Sequence, residues 1–475
     1  MGLVKLLPCY IAGTRVEIDE TGPRPSTVVS LDGKEMIPAV TTTATQLRQA
    51  LRHGEVCQKI LNRTSIEERV GVVKLILKEY ANYRKEIAWA LAKFRGLPVK
   101  DSQWMCDLLM VWSEQVDELV ASVWGLGGEE YRRVAFRDKI LGKVSYKSKG
   151  YAALITSSTM DGPPGIAAIC HAILSGTHLI IRPSWRDVVV HFMFEILHEH
   201  KLDQYCQLVR WQSTSVEAME LNRQLIRNVQ QAIVFCSDRT YRELIAGNRD
   251  EDREHLARKI HKYGTGLPLV IVTEAADLDQ AAEAIFIGAR RGNGKFCLSH
   301  SPVLVDRKIY PALLKKLVTL SAQLKTGDLL DPATERGQWE ADDIKSLKNL
   351  LASFGGRVAQ GEFQTHSMDV IILDDVPQNS PTLYQEFPGT LLALIPFDKN
   401  DEAVALAQKS LSMNQREAWT AVNVFGSPEE YEEFTKSIDS FHFLHAGITS
   451  EPRFLLPHQG RYFSFDLTRR QTIVL

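Results

Sequence analysis

The sequence predicts an α/β protein with two parallel sheets, and three observations carry that expectation. From Tyr151, apolar runs of strand length alternate with segments of helical periodicity. The same alternation starts again at Pro268. Turn and cap residues stand at the joints, among them Pro163 at the start of one helical segment and Gly176 at its end. Strand–helix alternation of this kind places helices on both faces of a parallel sheet.

In chain order, residues 1–30 read as an irregular or extended leader. Thr43 to Leu61 has helical spacing. Ser65-Ile66-Glu67-Glu68 reads as a capping box, opening a helix with Val70, Val73, Leu77 and Tyr80 on one stripe. Helix continues through 87–94 until Gly96-Leu97-Pro98, and 101–119 forms another. Residues 131–149 alternate basic and apolar residues around Gly142, a hairpin pattern. Strands are expected at 152–155, 177–181, 206–210 and 231–235. Helices are expected at 163–174, 188–200, 215–226 and 238–246. The second series has strands at 268–272, 301–305, 370–373, 390–395 and 419–424. Its helices fall at 277–290, 308–325, 400–410 and 427–437. The tail from Gly460 to Leu475 reads as strand.

At 475 residues the chain exceeds one ordinary core, so two or three domains are expected. It is 44% apolar and 24% charged with a net charge of −2, which gives no general attraction to nucleic acid or anionic membrane. No run reaches bilayer-spanning length, since stretches such as 188–197 are broken by His191 and Glu195. The N-terminus shows neither a secretory signal nor the Ser or Thr of a myristoylation signal. Seven scattered cysteines without a C-x-x-C pair argue against a disulfide framework or a zinc site. No metal is expected, and the reading is a cytoplasmic protein.

One cysteine stands apart. Cys297 follows Gly292-Asn293-Gly294-Lys295-Phe296, after a strand, a turn and a helix rich in small residues. This order resembles the aldehyde dehydrogenase superfamily, in which the same block ends in the nucleophilic cysteine. Further segments are similar in order and spacing: Gly150-Tyr151-Ala152-Ala153-Leu154-Ile155, Ile180-Ile181-Arg182-Pro183-Ser184, Glu386-Phe387-Pro388-Gly389-Thr390, and Thr420-Ala421-Val422-Asn423-Val424-Phe425, preceded by Asn414. The resemblance implies a Rossmann-type dinucleotide domain over 1–127 and 151–262 and an α/β catalytic domain over 263–440. It also implies an oligomerisation hairpin with C-terminal tail, 128–150 and 441–475, and a homodimer or homotetramer. It makes Cys297 the nucleophile, Glu386 the holder of the nicotinamide ribose, and Arg182, Ser184 and Ser237 cofactor contacts. Thr159 falls near the oxyanion asparagine of the family.

The departures from the family pattern are systematic. The general-base glutamate before the glycine turn is replaced by Tyr263 in Tyr263-Gly264-Thr265-Gly266. The glycine-rich cofactor turn becomes Cys236-Ser237-Asp238-Arg239-Thr240, and Trp185 takes the place of the ribose-binding acid. A phenol with a pKa of about 10 is a poor base at neutral pH. Without a base, hydrolysis of an acyl-enzyme slows by roughly two to four orders of magnitude. Its thioester then exchanges with another thiol.

The reading is therefore NADPH- or NADH-dependent reduction of an acyl thioester, carried by coenzyme A or an acyl-carrier protein, to an aldehyde through acyl-Cys297. Two alternatives stand beside it: NAD(P)-dependent aldehyde oxidation to an acid, and a catalytically silent binding or structural subunit. Tyr263 reads as packing or substrate contact. His261, two residues earlier, shares its face and is the next candidate base. His442 and His445 are expected to line the core. The basic hairpin residues, Arg132 to Lys149, read as a solvated hairpin in a subunit interface or as a dock for an acidic carrier.

Overall fold

The computed structural model describes residues 4–18, 26–124, 132–136, 139–157, 163–212, 216–246, 250–264, 266–299, 301–414, 416–450 and 453–474. The chain forms two compact units. The first comprises Met1–Phe94, Ser102–Gly264 and Arg453–Leu475, and the second Arg95–Asp101 and Thr265–Pro452.

The first unit is built on a seven-stranded sheet. Its spatial order is Ile260–Tyr263, Gln231–Phe235, Ala152–Ile155, Leu179–Arg182, Cys206–Leu208, Cys9–Ile11 and Thr14–Val16. The first five strands are mutually parallel, and each of the last two is antiparallel to the strand before it. Numbered along the chain, the parallel strands lie in the order 5-4-1-2-3. The order therefore reverses beside Ala152–Ile155, the crevice position at which doubly wound sheets bind ligands. Ala153, Ile155, Ala232 and Val234 pack against Leu47, Ala50 and Leu51 of helix Ala44–Leu61 and Leu221 and Leu225 of helix Val216–Asn228.

The second unit repeats the α/β logic. Its sheet runs Arg357–Gln360, Ile371–Asp374, Leu391–Phe397, Pro302–Asp306, Pro268–Val272, Ala421–Phe425 and Phe443–His445. Only the first of these is antiparallel to its neighbour. Near-continuous apolar strands such as Pro268–Val272, buried at every position, suit a sheet covered on both faces. The expected α/β class is thus observed, with a further antiparallel sheet of Thr468–Val474, Lys139–Ser148 and Arg132–Phe136 in the first unit.

Several local expectations need correction. Ser65 Oγ does accept from Glu68 N at 3.2 Å, but the Glu68 carboxylate accepts from the Tyr205 hydroxyl at 3.4 Å. A tertiary partner has taken the acid that would close the box. Gly142 lies inside strand Lys139–Ser148, opposite Val134 and next to a register shift, so it serves a bulge and not the hairpin turn. The tail contains a short helix, Phe463–Leu467, before its strand. Its alternation Phe463-Ser464-Phe465-Asp466-Leu467 mimics a strand, but Phe465 is exposed while Phe463 and Leu467 are buried together with Ser464 and Asp466, which breaks the period of two and fits a helix. Helices Asp250–Lys259 and Ala341–Leu351 had no sequence expectation. The first is charged almost all round, with Leu256 as its buried anchor. His445 is exposed and stacks on Tyr431, so it does not line the core. No described helix is long and apolar enough to cross a membrane.

Candidate active site

In the second unit, strand Pro268–Val272 feeds helix Leu278–Arg290, which starts at Asp277. The Asp277 carboxylate accepts from Asp279 N and Gln280 N at 3.0 and 3.1 Å. The helix ends in three consecutive left-handed residues, Gly292, Asn293 and Gly294, at φ 63°, 57° and 65°. Such a run excludes ordinary side chains, and contacts exclude them further. A Cβ on Gly294 would fall 2.3 Å from Gly389 O.

Buried polar side chains lock this loop. The Asp101 carboxylate, 2% exposed, accepts from Gly292 N at 3.0 Å and pairs with Arg290 Nη2 at 3.4 Å. Asn293 Nδ2 donates to Gly96 O at 3.1 Å and to Gln338 O at 3.2 Å. Lys295 N then donates to Gly292 O, and Ser299 N to Phe296 O, turning the chain around half-buried Cys297. Sequence reading singled out neither Asp101 nor Arg290, and took Asn293 only as part of the loop. The signal available was a non-glycine residue between two glycines, where Asn is the residue that best tolerates a left-handed backbone.

Gly266 lies against the cysteine backbone, since a Cβ there would sit 1.5 Å from Cys297 O. Gly266 N donates to Glu386 Oε1 at 3.2 Å. The structure therefore brings Cys297, Gly266 and Glu386 into one cluster within the second unit. Thr159 lies outside the described residues.

Tyr263, in the first unit, is 1% exposed and packs among Phe235, His458 and Phe463. Its hydroxyl donates to Asp466 Oδ2 at 2.7 Å. Burial, followed by the neighbouring Asp466 charge, pushes the phenol well above its usual pKa. Burial also works against ionising Asp466, but the hydrogen bond and charge of His261, with Tyr263 and Arg461, outweigh it and hold this carboxyl below its usual value. His261 does share the face of Tyr263, and both touch Asp466; its Nδ1 lies 3.1 Å from Oδ1 and its Nε2 meets Gln231 Oε1. Both groups are engaged in a structural network that ties helix Phe463–Leu467 to the edge strand Ile260–Tyr263.

Arg182 stands at the carboxyl end of strand Leu179–Arg182, as its sequence position implies, but only 4% exposed. Its Nη2 donates to Trp211 O at 3.1 Å, and the guanidinium lies 5.7 Å from the centroid of the Trp211 ring. Its Nε is buried without a partner among the described residues. Desolvation, with adjacent Arg210 adding to it, pushes its pKa down to about 10. Ser184 N donates to Thr156 Oγ1 at 3.2 Å, linking the ends of two adjacent parallel strands. Arg210, fully buried and unremarked in the sequence, donates Nη1 to Asp187 O at 2.9 Å and Trp185 O at 3.3 Å, fixing the turn after Ser184. Ser237 is exposed and caps helix Asp238–Ile245, its Oγ accepting from Thr240 N at 3.2 Å. Its neighbour Asp238 pairs with Lys262.

Comparison with known proteins identifies the family. Residues 20–445 match the model of the aldehyde dehydrogenase family. An aminoacetaldehyde dehydrogenase from Pseudomonas aeruginosa is 28% identical over 167 residues, 33% of this chain and 33% of that protein. A probable succinate-semialdehyde dehydrogenase [NADP(+)] from Synechocystis sp. is 28% identical over 194 residues, 38% of this chain and 41% of that protein. These alignments thus span well under half the length of either curated relative. The crystal structure of lactaldehyde dehydrogenase from Escherichia coli superposes with a TM-score of 0.82 at 17% identity, covering 100% of both chains, a likeness of fold. With the family match extending over most of its length, the chain belongs to the aldehyde dehydrogenase family.

Proposed function

We propose that the chain oxidises an aldehyde with a nicotinamide dinucleotide through a thioester on Cys297. We further propose that the acyl group leaves to a thiol more readily than to water. The relatives, named as dehydrogenases of semialdehydes and related aldehydes, support the oxidative half of this reading. The engagement of Tyr263 with Asp466 carries the second half.

The residues present fit a dinucleotide. Arg182 Nε is a buried donor without a partner among the described residues, at the carboxyl end of a parallel strand, suited to a ribose hydroxyl or phosphate. Arg182 and Ser184 would hold the adenosine ribose, Ser237 the phosphate side and Glu386 the nicotinamide ribose. Trp185 stands where an acid would repel a 2′-phosphate, so NADPH is expected to serve at least as well as NADH. A bound nicotinamide supplies the hydride acceptor, or the donor in reverse.

The Cys297 thiolate adds to the aldehyde carbon, and its electron pair forms the carbon–sulfur bond. The carbonyl oxygen takes up the negative charge. The C=O bond reforms as the carbon loses its hydride, leaving an acyl thioester. Hydrolysis then requires a base to remove a proton from water. Tyr263 cannot provide one, because its hydroxyl already donates to a carboxylate and its phenolate is disfavoured by burial. A thiolate, from coenzyme A or a carrier phosphopantetheine, needs no such base and displaces Cys297 directly. The same steps reversed reduce an acyl thioester to an aldehyde.

The test is aldehyde oxidation with and without coenzyme A, beside reduction of acyl-coenzyme A by NADPH. Thiol is expected to raise the oxidative rate at least tenfold, and Cys297→Ala to abolish both directions while leaving the circular dichroism spectrum unchanged. Fast acid formation without thiol would return the protein to ordinary aldehyde oxidation. No turnover together with no cofactor binding would identify a silent subunit.

A further inference from the structure

We propose that a cationic cleft in the first unit binds a small polyphosphate anion. The cleft encloses about 1190 Å³ including its open mouth, and it is lined by none of the residues assigned above to catalysis or cofactor. Its walls come from the C-terminal ends of helices Ala44–Leu61 and Pro163–Leu174 and from strands Lys139–Ser148 and Thr468–Val474. Arg69, Lys143, Lys147 and Arg469 bring positive charge to it, Thr64 and Ser145 bring hydroxyls, and among the described residues no carboxylate lines it.

The two helix ends supply partial negative charge, which accounts for Arg69. That side chain donates Nε to Ser65 O at 3.1 Å and Nη1 to Leu174 O at 2.6 Å. It does not account for the sheet. Lys147 and Arg469 stand directly opposite each other in the antiparallel register. Both are exposed, and neither side chain has an ion pair or hydrogen bond among the described residues. Like charges directly across a ladder destabilise it. An anion between them removes that penalty and gains charge-assisted hydrogen bonds from both. The cleft is several times larger than one phosphate group, so a chain of two or three phosphates, free or on a nucleoside, matches its size and its spread of charge.

The experiment is calorimetric titration of the full chain with inorganic triphosphate and, separately, ADP, at low and at physiological salt. The proteins are the wild type, the double variant K147Q/R469Q and R182Q. Triphosphate is expected to bind the wild type at low salt and to weaken as salt rises. The double variant is expected to lose at least tenfold in affinity, and R182Q to bind as the wild type. The share of ADP binding lost in the double variant identifies the source. For the ADP binding that the double variant loses and R182Q keeps, affinity above that for triphosphate assigns the cleft to a nucleotide, and equal or weaker affinity assigns it to the phosphate chain alone. Either supports the proposal. No binding at low salt would overturn it. So would retention in the double variant with loss in R182Q, which would place the anion at the cofactor residues. A sedimentation shift in the double variant, with no triphosphate binding by the wild type, would overturn it too, marking the cleft as a contact between copies of the chain.

Discussion

Asn293 separates two kinds of constraint that act on one residue. Its left-handed backbone, at φ 57°, favours glycine, while its amide makes one buried and one part-buried bond that glycine cannot make. Asn293→Gly is expected to keep the backbone and lose about 1–3 kcal/mol for the two unpaired carbonyls. Asn293→Ala adds about 1–2 kcal/mol of backbone strain. Equal stabilities of the two variants in urea unfolding would mean that strain plays no part. Asp101→Asn removes the charge paired with Arg290 and is expected to change the alkylation rate of Cys297 at least threefold by loosening its loop. An unchanged rate would show that the loop is held without that charge. Tyr263→Phe leaves the Asp466 carboxylate one donor short and should cost about 1–3 kcal/mol. Thiol-dependent turnover should stay within twofold, because the phenol takes no part in the chemistry. A hundredfold fall in turnover at unchanged stability would restore Tyr263 to the reaction.

At the level of elements, buried histidines tie the first unit together and set its acid sensitivity. His178, ahead of strand Leu179–Arg182, lies 2.7 Å from Gln204 O through Nδ1 and accepts from Gln207 Nε2 through its own Nε2 at 2.8 Å. This arrangement requires the neutral ring. Burial pushes His178 down to about 4, against the bond to Gln204 O, and pushes His171 down to about 3, with His458 adding to the effect. Both folded values lie below the unfolded value, about 6.5. The unfolded chain therefore binds more protons as pH falls through this window. Stability is full above about pH 7 and declines from about 6.5 towards 4 and 3, by about 1.4 kcal/mol per pH unit for each ring. His178→Gln should be less stable at pH 7.5 yet show a shallower decline between pH 6 and 5. Parallel pH profiles for variant and wild type would dissociate His178 from the acid response.

Across the whole molecule, each unit has its own sheet and its own buried core. Unfolding is therefore not expected to be a single all-or-none event. Calorimetry should give an unfolding enthalpy larger than the van't Hoff value, with a ligand of Arg182 and Ser184 raising the transition of the first unit. One transition with equal enthalpies would show that the two cores unfold as one.

The α/β class, the Cys297 loop and most strands are set by local pattern, since apolar runs, helix caps and glycine placement act within a few residues of themselves. Asp277 caps its helix from its own neighbourhood, and the residue types of Gly292-Asn293-Gly294 admit the left-handed turn that Asp101, Gly96 and Gln338 then lock. Three-dimensional packing decided what sequence separation hides. Asp101 reaches Gly292 across 191 positions, Tyr263 reaches Asp466 across 203, and Glu386 reaches Gly266 across 120. Such contacts leave no periodicity, because the partner is chosen by the fold and not by its neighbours in the chain. The same holds for Glu68, whose local pattern promised a cap and whose carboxylate went to Tyr205. It holds for Arg182 too. Its place at a strand end was legible, but the burial that orphans its Nε exists only once Trp211 has packed beside it.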